Sequence, residues 1–302
     1  MRVVIAVGGN ALLRRKQLAS AQNQLDNVRI AARGLAAVAQ RHELIVVHGN
    51  GPQVGLLALQ SEAYPDVPAY PLDMLGAETD GLIGYLLEQE IGNALGMQKT
   101  VATLLTRVEV EADDPAFDAP SKPIGPVYDA EHAATVRRER GWTMARDGDA
   151  WRRVVPSPAA RELVDAQPIG WLLDRGAVVV CGGGGGIPVV RSADGQWRGV
   201  EAVIDKDDCA ALIAERLNAD ALIIATDVEG VYTQWGTTAQ RLWREVTAAE
   251  LERERFAAGS MQPKVSAACR FVRRSGRSAA IGPLDQIEAL AAGDVGTWIL
   301  PV

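Results

Sequence analysis

Short apolar runs of strand length recur along the chain, and most are separated by stretches whose apolar residues repeat with helical spacing. The runs are rich in Val, Ile and Ala, which is typical of strands that are buried on both faces. The pattern predicts strands at 2–7, 44–47, 99–105, 177–181, 221–225 and 278–281. It predicts helices at about 20–41, 53–63, 74–95, 158–175, 207–218, 247–257 and 262–275.

This alternation predicts an α/β fold, a three-layer α/β/α sandwich around an open, twisted and mainly parallel sheet. One stretch, 109–157, breaks the alternation because it is polar, rich in Pro and Gly, and carries Trp142 and Trp151. Disordered segments are poor in aromatic residues, so we expect a small protruding β-rich subdomain here. Within it, Asp147-Gly148 is typical of a hairpin turn.

Composition and charge narrow the function classes. The chain has 302 residues, 48% of them hydrophobic, and a net charge of −7, with a pI of about 5.2. An acidic chain without a large basic cluster is not expected to bind nucleic acid. No apolar stretch has membrane length and no secretory signal pattern is present, so we expect a cytoplasmic protein without membrane contact. Cys181, Cys209 and Cys269 lack metal-ligand spacing, so we expect no protein-held metal.

Three glycine-rich turns each follow a predicted strand. Backbone N–H groups at strand-to-helix turns bind anions, and ligands of parallel sheets bind at the carboxyl ends of the strands. We therefore expect the turns to converge on one small anion, although a single such turn is more often only a chain reversal. The residues expected to bind the acceptor are Gly8, Gly9, Asn10, Gly49, Asn50 and Gly51, and the third turn is the run 182–186.

Three lysines stand in motifs that fix local geometry. Lys122 precedes a proline, Lys264 follows one, and Lys206 lies between Asp205 and Asp207, which would hold its ammonium group. Phosphoryl transfer requires cations around the moving group, and these lysines fit that need. From residue type alone, a surface charge or a structural ion pair is as good an account of each.

Eight motifs in order resemble the carbamate kinases of the amino acid kinase family. They cover nearly the whole chain, whereas single glycine turns are weak evidence. The motifs are G-G-N-A-L at 8–12, H-G-N-G-P-Q-V-G at 48–55, D-D-P-A-F at 113–117, K-P-I-G-P at 122–126, G-G-G-G-I-P-V at 183–189, G-V-E-A-V-I-D-K-D at 199–207, T-D-V-E-G-V-Y at 226–232, and F-A-A-G-S-M at 256–261 with P-K-V after it.

The resemblance implies a reversible reaction in which ATP and carbamate give ADP and carbamoyl phosphate. It implies one domain over 1–302, with an acceptor lobe at 1–198 that includes a lid at 109–157, and a nucleotide lobe at 199–302. It also implies a homodimer, and Mg²⁺ held mainly by the nucleotide phosphates.

The same resemblance assigns the site residues. Lys122, Lys206 and Lys264 would surround the transferring phosphoryl group. Related kinases place a lysine directly before the first glycine pair, where this chain has Val7, and Lys122 would supply the missing charge. The residues expected around the nucleotide are Gly183, Gly184, Asp205, Asp207, Thr226, Asp227, Val228, Gly230, Val231, Tyr232, Met261 and Lys264.

Two departures from the family pattern keep other functions open. Asp80 stands where carbamate kinases usually have Gln, and in the acceptor pocket it would repel an anion; a subunit contact or a changed hydrogen bond are the other placements. Gln262 stands where the family generally has Gly and would crowd the nucleotide or shift Lys264. The alternatives are a kinase for another small carboxylate-type acceptor and a catalytically silent nucleotide-binding regulatory module.

Overall fold

The structure is a computed structural model that describes residues 1–13, 17–64, 66–256 and 260–301. In these ranges the strands are β1 (Arg2–Val7), β2 (Glu43–His48), β3 (Val101–Leu104), β4 (Arg107–Glu109), β5 (Lys122–Tyr128), β6 (Met144–Asp147), β7 (Ala150–Val155), β8 (Glu162–Leu163), β9 (Val178–Cys181), β10 (Ile187–Arg191), β11 (Trp197–Gly199), β12 (Ala221–Thr226), β13 (Tyr232–Thr233), β14 (Arg241–Leu242), β15 (Glu245–Thr247), β16 (Ser278–Pro283) and β17 (Thr297–Leu300).

The helices in the same ranges are α1 (Gly9–Leu12), α2 (Ala21–Arg41), α3 (Gly51–Ala63), α4 (Leu72–Ala94), α5 (Ala130–Arg140), α6 (Ala166–Asp174), α7 (Lys206–Arg216), α8 (Ala248–Leu251), α9 (Met261–Ser275) and α10 (Ile287–Ala292). None of these described helices combines the length and apolar character that crossing a membrane would require.

The main sheet, over the described ranges, has eight strands in the order β15-β17-β16-β12-β1-β2-β9-β3. The neighbouring strands from β16 to β3 pair in parallel, and only β17 pairs antiparallel, with β16. All six predicted strands lie in this sheet. Their carboxyl ends meet at one edge because parallel strands share a direction, and the three glycine turns follow β1, β2 and β9 there.

Two apolar layers cover the sheet. Side chains of α2, α4 and α10 form one buried cluster with the first face, and side chains of α6, α7 and α9 form another with the second. Leu35 in α2 and Phe271 in α9 are fully buried, one on each face. The fold is therefore the predicted three-layer α/β/α sandwich.

Residues 122–155, all described, form the protruding subdomain as a three-stranded sheet, β5-β7-β6, with helix α5. The expected hairpin is present but shifted by one residue, because Asp147 pairs with Ala150 and the loop is Gly148-Asp149. Gly148 has a φ of 64°, which favours glycine at the first loop position.

Helix α5 was not expected within the β-rich stretch. Only Ala133 is buried on it, so the apolar periodicity that reveals most helices is missing. Its termini do carry the usual signals: the Asp129 side chain accepts from the backbone N–H of His132, and Gly141 closes the helix with a φ of 67°.

The subdomain rests on α3 through a close backbone contact. A Cβ atom on Gly55 would lie 1.9 Å from the Cα atom of Gly125 in β5, so the two chains meet where neither has a side chain. Ile124 is fully buried there and joins a small cluster that includes Val54 of α3 and Leu72 of α4. This contact fixes where β5 meets the main body, and it therefore fixes the position of Lys122 at the start of β5.

Two predicted helices are shorter than expected. The helix predicted at 158–175 begins only at Ala166, because Glu162–Leu163 pair with β4 as strand β8 and the N–H groups of Arg161 and Val164 donate to the carbonyls of Glu109 and Arg107. These tertiary hydrogen bonds replace a first helical turn.

The helix predicted at 247–257 is the single turn α8, which Thr247 and Glu250 cap reciprocally. The last residue of that prediction, 257, lies outside the described residues.

Candidate active site

The first two glycine turns touch each other at the carboxyl edge of the sheet. The Gly49 N–H donates to the Val7 carbonyl over 2.9 Å, which locks the second turn onto the end of β1. A Cβ atom on Gly49 would lie 2.7 Å from the Gly9 nitrogen, so no other residue fits there without movement. Asn10 lies in α1, and its side chain is outside the described part of the structure.

The third turn closes over the second. A Cβ atom on Gly184 would lie 2.1 Å from the side-chain nitrogen of Asn50, and the φ of Gly184 is +68°, which side chains rarely adopt. Gly183 and Gly184 are buried within this glycine-rich turn. The structure thus brings together the three turns that the sequence predicted to converge, and it lines their junction with backbone groups rather than bulky side chains.

The three lysines gather around two aspartates beside this junction. Lys206 Nζ lies 2.5 Å from one oxygen of Asp207, and Lys264 Nζ lies 3.1 Å from the other. Lys122 reaches from the protruding subdomain to contact Asp205. The five side chains form an alternating chain of charges with one more positive charge than negative, which suits an anionic ligand.

Helix ends set the positions of these groups. Asp205 is the N-cap of α7 and accepts from the Asp207 N–H over 2.9 Å, so Lys206 begins the helix with a fixed direction. Lys264 lies in the first turn of α9, which packs beside α7. Farther along α9, Arg270 bonds to the carboxylates of Asp208 and Glu215, which holds α9 against α7.

Burial and charge shift the pKa values of this cluster in different directions. Burial would raise the pKa of Asp205, but the charges of Lys122 and Lys206 outweigh it and hold that pKa well below its usual range. Burial lowers the pKa of Lys206, and the nearby charge of Lys264 lowers it further. Burial opposes the charge on Lys264 too, yet Asp207 raises the pKa of Lys264 above its usual value.

The lysine stem also links the charge cluster to the glycine turns. Lys206 is only 9% exposed, and its Cδ atom would lie 3.1 Å from a Cβ atom on Gly49. A larger residue at position 49 would therefore push directly on Lys206. The anion pocket and the cations form one site.

The predicted nucleotide loop follows β12 at the same edge of the sheet. Thr226 is buried at the end of the strand and donates to the Asp227 carboxylate over 3.2 Å, whereas Asp227 itself is exposed. Asp227 adds to the negative field on Lys264. Tyr232 is half-buried and donates to Glu229, so the loop presents Val228 and the Tyr232 ring at its surface. Met261 begins α9 and is half-buried beside the second apolar layer.

Two residues of the predicted nucleotide set lie beneath this loop. Val231 is fully buried, its N–H donates to Thr297 over 2.8 Å, and its carbonyl accepts from Trp243. A Cβ atom on Gly230 would lie 2.6 Å from the Thr297 hydroxyl. Val231 thus has neither side chain nor free backbone group for a ligand, and a supporting position in the core fits both residues better.

The carboxylates of the cluster are committed to lysines. Across the described residues, no group of three or more His, Cys, Asp or Glu side chains is placed to hold a metal ion. Asp205 and Asp207 each face ammonium groups rather than an open position. Their arrangement fits a magnesium ion that enters with the nucleotide as part of the substrate.

Comparison with known proteins gives the family. A family model described as the amino acid kinase family matches residues 1–282. The chain belongs to the amino acid kinase family. Within that family, the carbamate kinase of Rhizobium meliloti (strain 1021) is 53% identical over 301 residues, which cover 99% of this chain and 93% of that protein.

Solved structures agree with the sequence comparison. Carbamate kinase from Giardia lamblia bound to citric acid matches with a TM-score of 0.92 at 37% identity, covering 99% of this chain and 97% of that one. The same enzyme bound to AMP-PNP matches with a TM-score of 0.89 at 36% identity, covering 99% and 98%. These findings confirm the resemblance and the fold class that the sequence predicted.

The two departures from the family pattern each have a defined place in the structure. Asp80 is fully buried, so it is not at a subunit contact, and its carboxylate lies 3.3 Å from the His48 ring nitrogen Nε2. Gln262 is exposed on α9 and donates to Ser266 over 3.0 Å, so its side chain extends along its own helix. The contacts of Asp80 and Gln262 within the chain thus explain the two residues that favoured another acceptor or a silent module.

Sequence reasoning missed the polar side chains that support the second turn. Asn50 donates to Thr79 Oγ1 over 2.8 Å, and His48 faces Asp80. The position of His48 in a glycine turn was visible, but nothing in the sequence linked it to a helix more than 30 positions away. Adjacent polar residues at 79 and 80 on an otherwise apolar helical face were the available signal.

Proposed function

We propose that this protein is a carbamate kinase that transfers a phosphoryl group reversibly between ATP and carbamate. The observation that carries the proposal is the meeting of Lys122, Lys206 and Lys264 at the junction of three glycine turns. In the ATP-forming direction, the bond between the carbamate oxygen and phosphorus breaks, and a terminal ADP oxygen bonds to that phosphorus. No covalent bond to the protein is needed.

Charge compensation is the proposed source of catalysis. The phosphoryl group passes through a transition state with negative charge on its equatorial oxygens, and three lysines with a net excess of positive charge can stabilise it. Asp205 and Asp207 hold the ammonium groups in place before the substrate arrives, so little reorganisation is required during the reaction. Lys122 approaches from the acceptor side and Lys264 from the nucleotide side.

The two halves of the chain are proposed to serve the two substrates. Residues 1–198 supply Gly8, Gly9 and the 49–51 turn for carbamate, and 199–302 supply the 226–232 loop and the start of α9 for the nucleotide. The Giardia relative that binds AMP-PNP supports a nucleotide site in this fold. Magnesium would enter with the nucleotide phosphates.

The deciding experiment is ATP formation by the purified protein from ADP, Mg²⁺ and carbamoyl phosphate. We expect turnover on the order of 1–10³ per second, as is common for enzymes. Acetyl phosphate in place of carbamoyl phosphate tests the rival acceptor class. Failure to form ATP with either donor, while ADP binds, would favour a silent nucleotide-binding module.

We also propose that 109–157 acts as a lid. Lys122 lies at the start of its first strand and contacts Asp205 on the main body, so the position of the subdomain determines whether this cation reaches the site. Inside the subdomain, the Trp142 ring lies between the guanidinium groups of Arg153 (4.1 Å) and Arg140 (5.1 Å). These internal contacts favour movement as one unit.

Hydrogen exchange tests the lid. We expect amide exchange in 120–155 to slow when ADP and carbamoyl phosphate are both bound, because closure requires ligands that favour the closed state. Helix α10, which packs on the sheet with α2, serves as an internal control, and we expect its amide exchange to stay the same. Unchanged exchange in 120–155 at demonstrated saturation would mean a fixed decoration.

A homodimer is the proposed assembly, with α4 at the interface. Its outer face carries Met74, Leu82 and Tyr85, which are 53%, 44% and 58% exposed in the single chain. Gly81 lies among them, and a Cβ atom on it would meet no other part of the described chain within 4 Å, so a partner helix can approach closely there. An exposed apolar stripe of this kind is unusual on a monomer surface.

Light scattering tests the assembly. We expect twice the chain mass of 32.2 kDa at micromolar concentration. Leu82→Glu is expected to give the monomer mass, because a charge would be buried in the contact. Trp171→Glu, an exposed apolar position on α6 across the sheet, is the control that keeps the dimer. A monomer mass for the unmodified chain would refute the proposal.

A further inference from the structure

His48 and Asp80 form a buried polar pair beneath the site. Both side chains are fully buried, and His48 Nε2 lies 3.3 Å from Asp80 Oδ1. Apart from this contact, neither Asp80 oxygen nor His48 Nε2 has a hydrogen-bond partner among the described residues. Burying a carboxylate with a single polar contact costs free energy, so we looked for what the pair does in the fold.

The pair lies directly against the third glycine turn. A Cβ atom on Gly183 would lie 2.0 Å from Asp80 Oδ1 and 2.3 Å from His48 Nε2. The two side chains therefore fill the space that the missing Gly183 side chain leaves. Any loss of the pair would let both Gly183 and the second turn shift.

The neighbouring residue on α4 supports the same turn. Thr79 accepts a hydrogen bond from Asn50 over 2.8 Å, and Asn50 in turn packs under Gly184. Consecutive residues of α4 thus hold His48 and Asn50, the two residues on either side of Gly49. Lys206 crosses Gly49 on its opposite side, so this support extends to a catalytic lysine.

We propose that Asp80 is a positioning residue for the acceptor pocket: it fixes His48, and through His48 the backbone of the 48–51 turn and Gly183, and so sets the affinity for carbamoyl phosphate. Asp80 makes no contact with the substrate. The inference rests on the proposed carbamate kinase activity. The buried carboxylate lies 3.3 Å from the ring, and its charge acts on the ring there with little screening by solvent.

The test compares apparent affinities for the two substrates in Asp80→Asn. This change keeps the shape and removes the charge beside His48, and we expect the KM for carbamoyl phosphate to rise about tenfold, which corresponds to about 1.4 kcal/mol. The KM for ADP should stay within about twofold, since the nucleotide loop lies elsewhere. A purely structural role would instead lower the melting temperature and leave the ratio of the two KM values unchanged.

A double-mutant cycle tests the pair itself. Asp80→Asn, His48→Asn and the double variant should all lose about the same factor, because the two side chains act as one unit. Additive losses would overturn the proposal. If Asp80→Asn gives no folded protein, Asp80→Gln carries the same test, since it also removes the charge beside His48.

The control is Glu90→Gln on the same helix. Glu90 is also buried, loses the same charge in this variant, and pairs with Arg29 at 3.3 Å. It lies ten positions from Asp80, about 15 Å along α4. Its KM values should match those of the unmodified chain. If the unmodified chain makes no ATP, the proposed function fails; if it does and Asp80→Asn keeps both KM values, only this inference fails.

Discussion

Lys206→Ala is expected to lower the turnover of ATP formation by about 10²–10³-fold, the usual cost of losing one positioned charge donor. Lys206 is the most buried of the three lysines, bonds to Asp207 at 2.5 Å and packs over Gly49. No neighbouring cation can replace it, because Lys122 and Lys264 are held by their own carboxylate contacts.

The stability of this variant should change little. Burial lowers the pKa of Lys206 below its unfolded value, so the charged side chain costs stability below the folded pKa. That cost disappears as the pH rises through the interval between the folded and unfolded pKa values. Removing the lysine therefore removes a cost along with an ion pair.

The measurements are steady-state turnover and thermal unfolding of the same preparations. Lys99→Ala, which removes a lysine that precedes β3 and bonds to the Ala39 carbonyl in α2, is the control and should keep its turnover. Near-normal turnover of Lys206→Ala would contradict the assigned role. A large loss of stability would make the turnover uninterpretable, and Lys206→Met, which keeps the stem, then replaces it.

Asp207→Asn is expected to lower the free energy of unfolding by about 3 kcal/mol, because it removes the shared partner of two buried cations. Asp207 is 2% exposed and accepts from both Lys206 and Lys264. Without its charge, the two ammonium groups face each other in a site that already disfavours the charge on Lys206. Turnover should fall as well, since the lysines lose their fixed positions.

Denaturant unfolding in the absence of ligands measures the effect. Glu252→Gln is the matched control, because it removes the charge that pairs with Arg273 where both side chains are about half exposed. We expect it to lower the free energy of unfolding by no more than about 1 kcal/mol. The loss in Asp207→Asn should shrink at alkaline pH, where Lys206 releases its proton. Equal unfolding of Asp207→Asn and the unmodified chain would show that the bridge contributes no stability.

The apolar pattern predicted the six parallel strands because all but the edge strand β3 are buried along nearly their whole length and so have a nearly continuous hydrophobic sequence. The pattern did not predict the two outermost strands on one side of the sheet, Glu245–Thr247 and Thr297–Leu300, since they are short and their sequences are less uniform. The start of α6 was misplaced because the backbone from Arg161 to Val164 pairs with β4, which is distant in sequence. Local sequence contains no signal for such bonds.

The chemistry of the site was visible in the sequence where it depends on neighbouring residues. Glycine turns after buried strands predicted an anion site, and the order Asp205-Lys206-Asp207 predicted a fixed lysine, because the residues that cooperate are adjacent. The sequence did not show which lysine pairs with which aspartate. Asp205 pairs with Lys122 from the lid, and Asp207 is shared with Lys264 of α9, across 83 and 57 positions respectively.

The sequence by itself determined the layered fold, the edge of the sheet where the glycine turns meet and the residue types gathered there, because strand burial and turn chemistry act over a few residues. Only the tertiary structure decided how the charges pair and where Asp80 lies. A carboxylate on a helix can face solvent, a partner or the core, and the choice depends on which side chains the packed sheet brings to it. Here that neighbour is His48, at the end of β2, and the contact forms only when α4 packs on the sheet.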